Sequence, residues 1–141
     1  MNVKVHDLMT KSVITTEPHR TIDHVRALIE RNQVGAIPVV DTDGRPVGII
    51  SATDLVGEHN GNSPVSTLMT AKVYTVPEYD DLSTAARVMR NHKIHRVVVT
   101  CEQKVVGVLS AFDLLQVVEE HRFVMKHPPT QQKTRRGAQR S

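Results

Sequence analysis

The sequence predicts an α/β protein in which one unit of about 50 residues is written twice. A shift of 60 residues places the segment 5–15 over 65–75, and six of the eleven aligned positions are identical. The same shift places 21–40 over 81–100, where apolar and polar positions match by class. After a turn that is one residue shorter in the second copy, a shift of 59 aligns VGIISATDL with VGVLSAFDL. Because length changes are best tolerated in loops, these matches indicate one repeated fold.

Each copy begins with a β-branched run that predicts a strand. These runs are SVITT at 12–16 and KVYTV at 72–76. The next segment of each copy repeats apolar residues at i, i+3 and i+7, the spacing of an amphipathic helix. The apolar positions are Ile22, Val25 and Ile29 in the first copy and Leu82, Ala85 and Met89 in the second. Thr21 and either Asp80 or Asp81 are expected to cap the two helices.

Two apolar runs joined by a polar turn follow each helix and predict an antiparallel hairpin. The turn of the first copy contains Asp43-Gly44, a pair typical of hairpins. A second helix is expected to begin at the Ser-x-x-Asp motif of each copy. These motifs are Ser51 with Asp54 and Ser110 with Asp113. The element order of each copy is therefore β-α-β-β-α, and because so small a unit buries little surface, we expect the copies to pair.

Composition excludes several classes of protein. The net charge is +3, which is too small to imply an obligatory polyanionic partner. No apolar run reaches the roughly 18 residues of a membrane span, and the opening residues lack the apolar core of a signal peptide. The single cysteine, Cys101, cannot form an intramolecular disulfide. We therefore expect a soluble protein in the reducing cytoplasm.

The last residues differ in composition from the rest of the chain. From Lys126 onward the sequence has five basic residues and no acidic residue. Residues 123–141 are therefore expected to be a helix end followed by a basic, disordered tail. Contact between this tail and nucleic-acid phosphates is an alternative, but it would be unspecific because no groove-reading element accompanies the tail. A solvated tail is favoured, and we expect no nucleic-acid partner.

The repeated phrases resemble the cystathionine β-synthase (CBS) motif. The resemblance spans about residues 5–118 and rests on an opening Met-Thr, a Pro-Val-Val strand and an ending G-h-h-S-x-x-D, in order and in tandem. A tandem pair of such motifs, called a Bateman module, packs with pseudo-two-fold symmetry. Such modules usually dimerise into a flat disc and bind adenosine nucleotides or related ligands in the clefts between motifs. The resemblance thus implies motifs at 1–60 and 61–122 and a regulatory homodimer that binds AMP, ADP or ATP.

The Ser-x-x-Asp motif permits two interpretations. It resembles a capping box, in which the serine and the acid three residues later satisfy free backbone N–H groups. A capping box usually carries Glu or Gln, however, and both copies carry Asp. An Asp at a helix start can accept hydrogen bonds from two vicinal hydroxyls, and the free N–H groups attract phosphate. In CBS proteins this Asp holds the ribose hydroxyls, which implies a ligand role for Asp54 and Asp113, while Ser51 and Ser110 can cap and bind at once.

The resemblance implies two unequal clefts, each formed by the Asp of one motif and two strands of the other. The first cleft is expected to contain Ser51, Asp54, Tyr74, Thr75, His95 and Arg96. The second is expected to contain Ile14, Thr15, Thr16, Gly35, Ala36, Ser110 and Asp113.

His95 and Arg96 lie where CBS proteins place phosphate-binding residues, and the matching positions of the second cleft carry no basic residue. We therefore expect a phosphorylated adenosine in the first cleft and a neutral nucleoside, a weaker nucleotide or no ligand in the second. A solvated strand edge is the alternative for His95 and Arg96.

The remaining chemistry-bearing residues give weaker signals. The eight histidines show neither HExxH nor a Cys/His knuckle spacing, so no metal site is expected. Met9 and Met69 recur beside leucines and are expected to pack. Cys101 is expected to be a small, partly buried residue at a strand end. No nucleophile-base arrangement, G-x-S-x-G or P-loop is visible, so we predict neither catalysis nor a required cofactor.

The sequence leaves two classes of function open. A regulatory module would sense adenosine nucleotides by closing its clefts and passing the change to a dimer mate or a protein target. An interaction scaffold would have empty or weakly occupied clefts, its Ser-x-x-Asp motifs would only cap helices, and its surface would recruit a protein partner.

Overall fold

The computed structural model describes residues 3–11 and 13–120. The strands are β1 (Ala36–Val40), β2 (Pro46–Ser51), β3 (Thr75–Pro77), β4 (Arg96–Cys101) and β5 (Lys104–Ser110). The helices are α1 (Val5–Leu8), α2 (Ile22–Asn32), α3 (Leu82–His92) and α4 (Ala111–Glu119). Within the described residues, β1 and β2 form one antiparallel sheet, and the second sheet has the order β3-β4-β5. The predicted α/β class is therefore confirmed, and the tail at 123–141 lies outside the described residues.

The helices α2 and α3 are equivalent and have 11 residues each. Their buried residues have the predicted spacing: Ile22, Val25 and Ile29 in α2, and Leu82, Ala85 and Met89 in α3. Thr21 caps α2 as predicted, because its hydroxyl oxygen accepts a hydrogen bond from the His24 N–H at 3.1 Å. Asp81 is the N-cap residue of α3, but its carboxylate pairs with Lys4 Nζ at 2.7 Å. Among the described helices, none has the length and apolar character that crossing a bilayer requires.

The first strand of each copy forms a ladder only in the second copy, and there it covers Thr75–Pro77 rather than the predicted 72–76. There, β3 runs parallel to β4, and the Val98 N–H donates to the Tyr74 carbonyl oxygen at 3.0 Å. In the first copy the predicted strand is reduced to a bridge between Thr16 and Val39. The residue equivalent to Val98 is Pro38, which has no N–H to donate. One ladder hydrogen bond is therefore lost in the first copy, and the strand shortens.

The second helix of each copy also differs, and the prediction of a helix after Ser51 is wrong. In the second copy α4 extends for nine residues, whereas the first copy has only a 3-10 turn over Thr53–Leu55. The backbone of Val56 is already extended, and Gly57 has a φ of 98°, in the left-handed region. The residues that follow Gly57 are rich in Gly and Asn, which favour turns over helices. The first copy therefore ends in a turn and a loop.

The start of each copy packs against the core of the other copy. Val5 is fully buried in a cluster that contains Leu109 and other residues of the second copy. Val65 is fully buried in a cluster that contains Ile50 and other residues of the first copy. Each core is thus completed by a segment from the opposite repeat, and the two copies cannot bury their apolar faces separately.

Two strand glycines permit this exchange, because the crossing segment lies directly on the strand backbone. At Gly107 an added Cβ would lie 2.7 Å from Met9 Sδ and 2.8 Å from the Thr10 carbonyl oxygen. The Thr10 N–H donates to the Val108 carbonyl oxygen at 2.9 Å. The equivalent contacts in the other half join Met69 and Thr70 to Gly48 and Ile49. The two methionines therefore pack, as predicted, each against the opposite repeat.

Candidate functional site

Each Ser-x-x-Asp motif forms a reciprocal pair of hydrogen bonds. The Ser51 N–H donates to Asp54 Oδ2 at 2.9 Å, and the Asp54 N–H donates to Ser51 Oγ at 3.3 Å. The corresponding distances between Ser110 and Asp113 are 2.8 and 3.1 Å. Both motifs are therefore capping boxes, although the first precedes only a 3-10 turn. Within residues 3–11 and 13–120, Oδ1 of each Asp accepts no hydrogen bond, so one carboxylate oxygen stays available to a hydroxyl donor.

The first cleft, called the Asp54 cleft, has a volume of about 490 Å³. It brings together five of the six residues predicted for it: Ser51, Asp54, Tyr74, His95 and Arg96. Thr75, the first residue of β3, is not among its lining residues, although Tyr74 before it is. The Asp of the first copy therefore lies beside the predicted residues of the second copy.

Basic and aromatic side chains give the Asp54 cleft its character. Lys72, His92 and Lys93 line it together with the predicted His95-Arg96 pair. The rings of Tyr74 and His92 stack with their centroids 4.1 Å apart, and Lys72 Nζ lies 5.6 Å from the centroid of the Tyr74 ring. Asp54 is the one carboxylate among the described lining residues. A cleft with this excess of positive charge favours an anionic group on its ligand.

The second cleft, called the Asp113 cleft, has a volume of about 870 Å³. It brings together five of the seven residues predicted for it: Ile14, Gly35, Ala36, Ser110 and Asp113. Thr15 and Thr16 do not line it; Thr16 is buried, and its backbone forms a bridge to Val39. The Thr16 hydroxyl has no hydrogen-bond partner among the described residues. Apolar side chains supply much of the remaining lining: Val13, Val34, Val108, Phe112 and Leu115.

Arg96 and His95 line the Asp113 cleft as well as the Asp54 cleft. The Arg96 guanidinium lies against Gly35, where an added Cβ would overlap Nη2 and lie 3.4 Å from Cζ. The matching positions of the second cleft carry no basic residue, as the sequence shows, but His95 and Arg96 of the second copy also border this cleft. The two clefts share these residues because they meet where β1 and β4 begin, and Ala36 at the start of β1 likewise lines both clefts. Position matching between the copies could not show how far the arginine side chain reaches.

The sequence prediction missed three basic residues of the Asp54 cleft: Lys72, His92 and Lys93. Lys93 ends α3 with a φ of 56°, and its equivalent Gln33 ends α2 with a φ of 54° and lines the Asp113 cleft. A left-handed residue ends a helix and redirects the chain toward the next strand. The shift of 60 residues identifies Gln33 and Lys93 as equivalent, but only the folded structure shows that the ends of α2 and α3 each border a cleft.

A separate cluster of polar residues lies outside both clefts. His6 Nδ1 lies 2.9 Å from Glu78 Oε1, and the His6 ring stacks on Tyr79 at a centroid distance of 5.4 Å. The hydrogen bond from the Cys101 thiol, followed by that from His6, lowers the pKa of Glu78. The same bond to Glu78 raises the pKa of Cys101, so the thiol is held in its protonated, weakly nucleophilic form. Among the described residues, no group of three His, Cys, Asp or Glu side chains is placed to hold a metal ion.

Comparison with protein families and curated proteins identifies the repeat. The profile of the CBS domain matches residues 5–60 and again residues 65–120. The CBS domain-containing protein YhcV of Bacillus subtilis is 30% identical over 115 residues, which are 78% of this chain and 81% of that protein. An inosine-5'-monophosphate dehydrogenase of Halobacterium salinarum is 38% identical over 112 residues, 75% of this chain. The chain spans only 22% of the dehydrogenase, so this match brings no catalytic activity with it.

A solved structure has the same fold. The CBS domain protein from Pyrobaculum aerophilum complexed with AMP superposes with a TM-score of 0.73 and is 26% identical. The match covers 83% of this chain and 99% of that chain. The predicted pairing of two such motifs is therefore confirmed at the level of the fold.

Proposed function

The chain belongs to the CBS domain family, and from this premise we propose that it is a regulatory module that binds an adenosine nucleotide, AMP or ATP, in the Asp54 cleft. The observation that carries the proposal is the pairing of one carboxylate with a surplus of basic groups in that cleft. Asp54 supplies a free oxygen for ribose hydroxyls, and the basic groups supply charge for phosphate. The solved Pyrobaculum relative is a complex with AMP, which supports the ligand class.

The ligand would be held at two ends. The Asp54 carboxylate keeps one oxygen in its capping box and offers the other to the ribose, so binding requires no loss of the cap. Lys72, Lys93 and Arg96 would contact the phosphate, because ammonium and guanidinium groups form the shortest and strongest hydrogen bonds with anions. Because the basic residues would contact only the phosphate, AMP and ATP should bind more tightly than adenosine.

Regulation would follow from a difference in affinity between two states of the protein. A ligand shifts a conformational equilibrium only as far as it binds one state better than the other. The Asp54 cleft is built from both repeats, so a ligand that contacts Asp54 and Lys93 together would favour their closer approach. The change would pass to a dimer mate or to a protein target.

The proposal is tested by calorimetry with adenosine, AMP, ADP and ATP, preceded by a thermal-shift screen that also includes NAD and S-adenosylmethionine. A ligand present at 100 times its Kd stabilises the folded state by about 2.7 kcal/mol, which raises the melting temperature by several degrees. We expect such a shift with AMP or ATP and a smaller one with adenosine. Exposed Asp43, in the β1–β2 turn and outside both clefts, provides the matched control, because Asp43→Asn should bind as the wild type does.

The absence of any shift would favour the interaction scaffold. In that case the capping boxes would be the whole function of Asp54 and Asp113, and the exposed face of α4 would be the recruiting surface. Phe112, Leu115 and Val118 on that face are between 53% and 78% exposed.

The same face of α4 is our proposed contact for a homodimer, because an apolar stripe of this kind is more stable when covered. Light scattering of the wild type and of Val118→Asp tests the dimer: the variant should have half the mass.

A further inference from the structure

We propose that Arg96 serves both clefts and that a phosphorylated ligand in one cleft therefore lowers the affinity of the other cleft for a second phosphorylated ligand. The inference rests on the proposed function and adds a coupling between the two sites. It predicts that the module distinguishes one bound nucleotide from two, and that a neutral nucleoside escapes the coupling.

The position of Arg96 in the sheet places it between the clefts. It is the first residue of β4, and its Cα partner on β5 is Ser110, which belongs to the capping box of the Asp113 cleft. From there the guanidinium extends to Gly35 of the first copy, with Cζ 3.4 Å and Nε 3.8 Å from the place where a Cβ would be. Arg96 also lines the Asp54 cleft beside Lys93. One side chain therefore borders both ligand volumes.

The guanidinium is available to a ligand. Within residues 3–11 and 13–120, it forms neither a hydrogen bond nor an ion pair, although the residue is half-buried. Two other arginines in the same ranges are engaged: Arg26 Nη1 donates to the Leu55 carbonyl oxygen at 3.0 Å, and Arg20 Nε donates to Glu17 Oε1 at 3.1 Å. A half-buried guanidinium without a partner has donors that a phosphate would satisfy.

The two clefts depend on Arg96 to different degrees. The Asp54 cleft also contains Lys72 and Lys93, whereas Arg96 is the one Lys or Arg among the described residues that line the Asp113 cleft. His95, like Arg96, borders both clefts. A guanidinium has a single positive charge, which a bidentate contact with a phosphate in one cleft offsets for the other cleft. When a nucleotide in the Asp54 cleft takes that contact, the Asp113 cleft loses its permanent positive charge.

Repulsion between the ligands acts in the same direction. Two phosphates on either side of one cation repel each other, and partial burial weakens the screening of this repulsion by salt. Coupling between sites is reciprocal, so a phosphate in the Asp113 cleft must weaken binding at the Asp54 cleft by the same factor. Adenosine has no phosphate and should fill the Asp113 cleft whether or not the Asp54 cleft is occupied.

The coupling is measured by calorimetric titration of AMP and, separately, of adenosine. The wild type is compared with Asp54→Asn, in which the Asp113 cleft still binds the ligand while the affinity of the Asp54 cleft is reduced. We expect the second equivalent of AMP to bind the wild type at least about tenfold more weakly than AMP binds the Asp113 cleft of Asp54→Asn. For adenosine the two affinities should agree within about threefold.

Two variants of the shared contact complete the experiment. When Arg96→Ala is added to both the wild type and Asp54→Asn, the tenfold difference in AMP affinity between the two proteins should fall to less than about threefold. Gly35→Ala adds a Cβ that overlaps the guanidinium and should displace it from its position between the clefts, so the tenfold difference for AMP should shrink in this variant as well. Arg87→Ala, on the exposed face of α3 and outside both clefts, is the matched control and should keep the full difference. Circular dichroism verifies that each variant is folded.

Each outcome separates the inference from the function on which it rests. If AMP binds none of the proteins, the proposed function fails. If AMP binds with equal affinity to the second cleft of the wild type and to Asp54→Asn, the function stands and the coupling is refuted. If the difference persists undiminished in Arg96→Ala, repulsion alone causes it, and the assignment of a shared arginine is overturned.

Discussion

The first half and the second half of the molecule bury equivalent side chains at their centres, yet they differ in two peripheral elements. Ile50 and Leu109 occupy the same position in the two repeats, and both are fully inaccessible to solvent. At the edges, α4 in the second half corresponds to a 3-10 turn in the first, and β3 corresponds to a single bridge. The repeat has kept the interior, where a change of volume is costly, and has varied the periphery.

The clefts follow the same rule. Their floors consist of the same capping box twice, with donor-acceptor distances that agree within 0.2 Å between the copies. Their walls differ: Lys72, His92 and Lys93 line the Asp54 cleft, whereas Phe112 and Leu115 line the Asp113 cleft. A duplicated scaffold thus holds two clefts of different charge on equivalent capping boxes.

The largest effect is expected from the shared interior. Ile50→Ala and Leu109→Ala should each lower the free energy of unfolding by about 2–5 kcal/mol, because each removes a fully buried side chain and leaves a cavity. Urea denaturation measures both values, and similar values would show that the two cores contribute equally. Val56→Ala provides the control, since Val56 is 74% exposed and its truncation should change the free energy by less than about 0.5 kcal/mol.

The next effect concerns the two carboxylates. Asp54→Asn keeps an oxygen that can accept the Ser51 N–H but replaces the other oxygen with a donor. The loss of hydrogen bonds to a charged group should weaken AMP binding by about 1.5–3 kcal/mol, roughly 10–100-fold in Kd. Asp113→Asn should weaken the binding of the first equivalent of AMP far less, because the Asp54 cleft is the more basic one. Equal losses in the two variants, measured by calorimetry, would contradict the proposed ranking of the clefts.

A smaller effect is expected where the repeats cross. Gly107→Ala and Gly48→Ala should each reduce stability by about 1–3 kcal/mol through overpacking. The loss should be larger at Gly107, because the new Cβ would lie 2.8 Å from the Thr10 carbonyl oxygen, whereas the Thr70 carbonyl oxygen is 3.1 Å from the Cβ at Gly48. The methionine side chain that also contacts each glycine can move, but the backbone cannot. A stability order opposite to this one in urea denaturation would show that the crossing in the first half is the tighter of the two.

The smallest effect tests a feature that only the second half possesses. Cys101→Val removes the thiol that donates to Glu78 while keeping a similar volume. The bond lowers the pKa of Glu78 below its ordinary value of 4.5, so its contribution is present above that pH and is lost as the pH falls through the lowered pKa. The bond raises the pKa of Cys101 above its ordinary value of 9.0, so the contribution is complete below that pH and is lost as the pH rises through the raised pKa.

The variant should therefore be less stable than the wild type between pH 4.5 and pH 9.0, with the difference narrowing on either side. Urea denaturation at several pH values measures this difference. Cys101→Ser retains a donor and should restore most of the stability at neutral pH. A difference that is constant across the pH range would mean that packing, and not the bond to Glu78, explains the effect.

Much of this architecture could be predicted from the sequence because the relevant interactions are local. The helices α2 and α3, the hairpins and the capping boxes depend on residues a few positions apart, and the repeat displays each pattern twice. The shortened strand of the first half also has a local cause, the missing N–H of Pro38. This cause is recognised only once the hydrogen bond of the equivalent Val98 between β3 and β4 is known. The absence of a second helix in the first copy has a local cause as well, the turn at Gly57.

The sequence alone determined that the protein is a tandem repeat of an α/β unit with a paired Ser and Asp at the end of each copy. Only the tertiary structure decided that each core takes Val5 or Val65 from the opposite copy, and that the Arg96 guanidinium lies against Gly35 between two clefts. The physical reason is that these contacts join residues that are distant in the chain, such as Val5 and Leu109 or Gly35 and Arg96, and their approach depends on how the sheets pack. Equivalent positions in a repeat have equivalent backbones, but the reach of a long side chain depends on what the other copy places beside it.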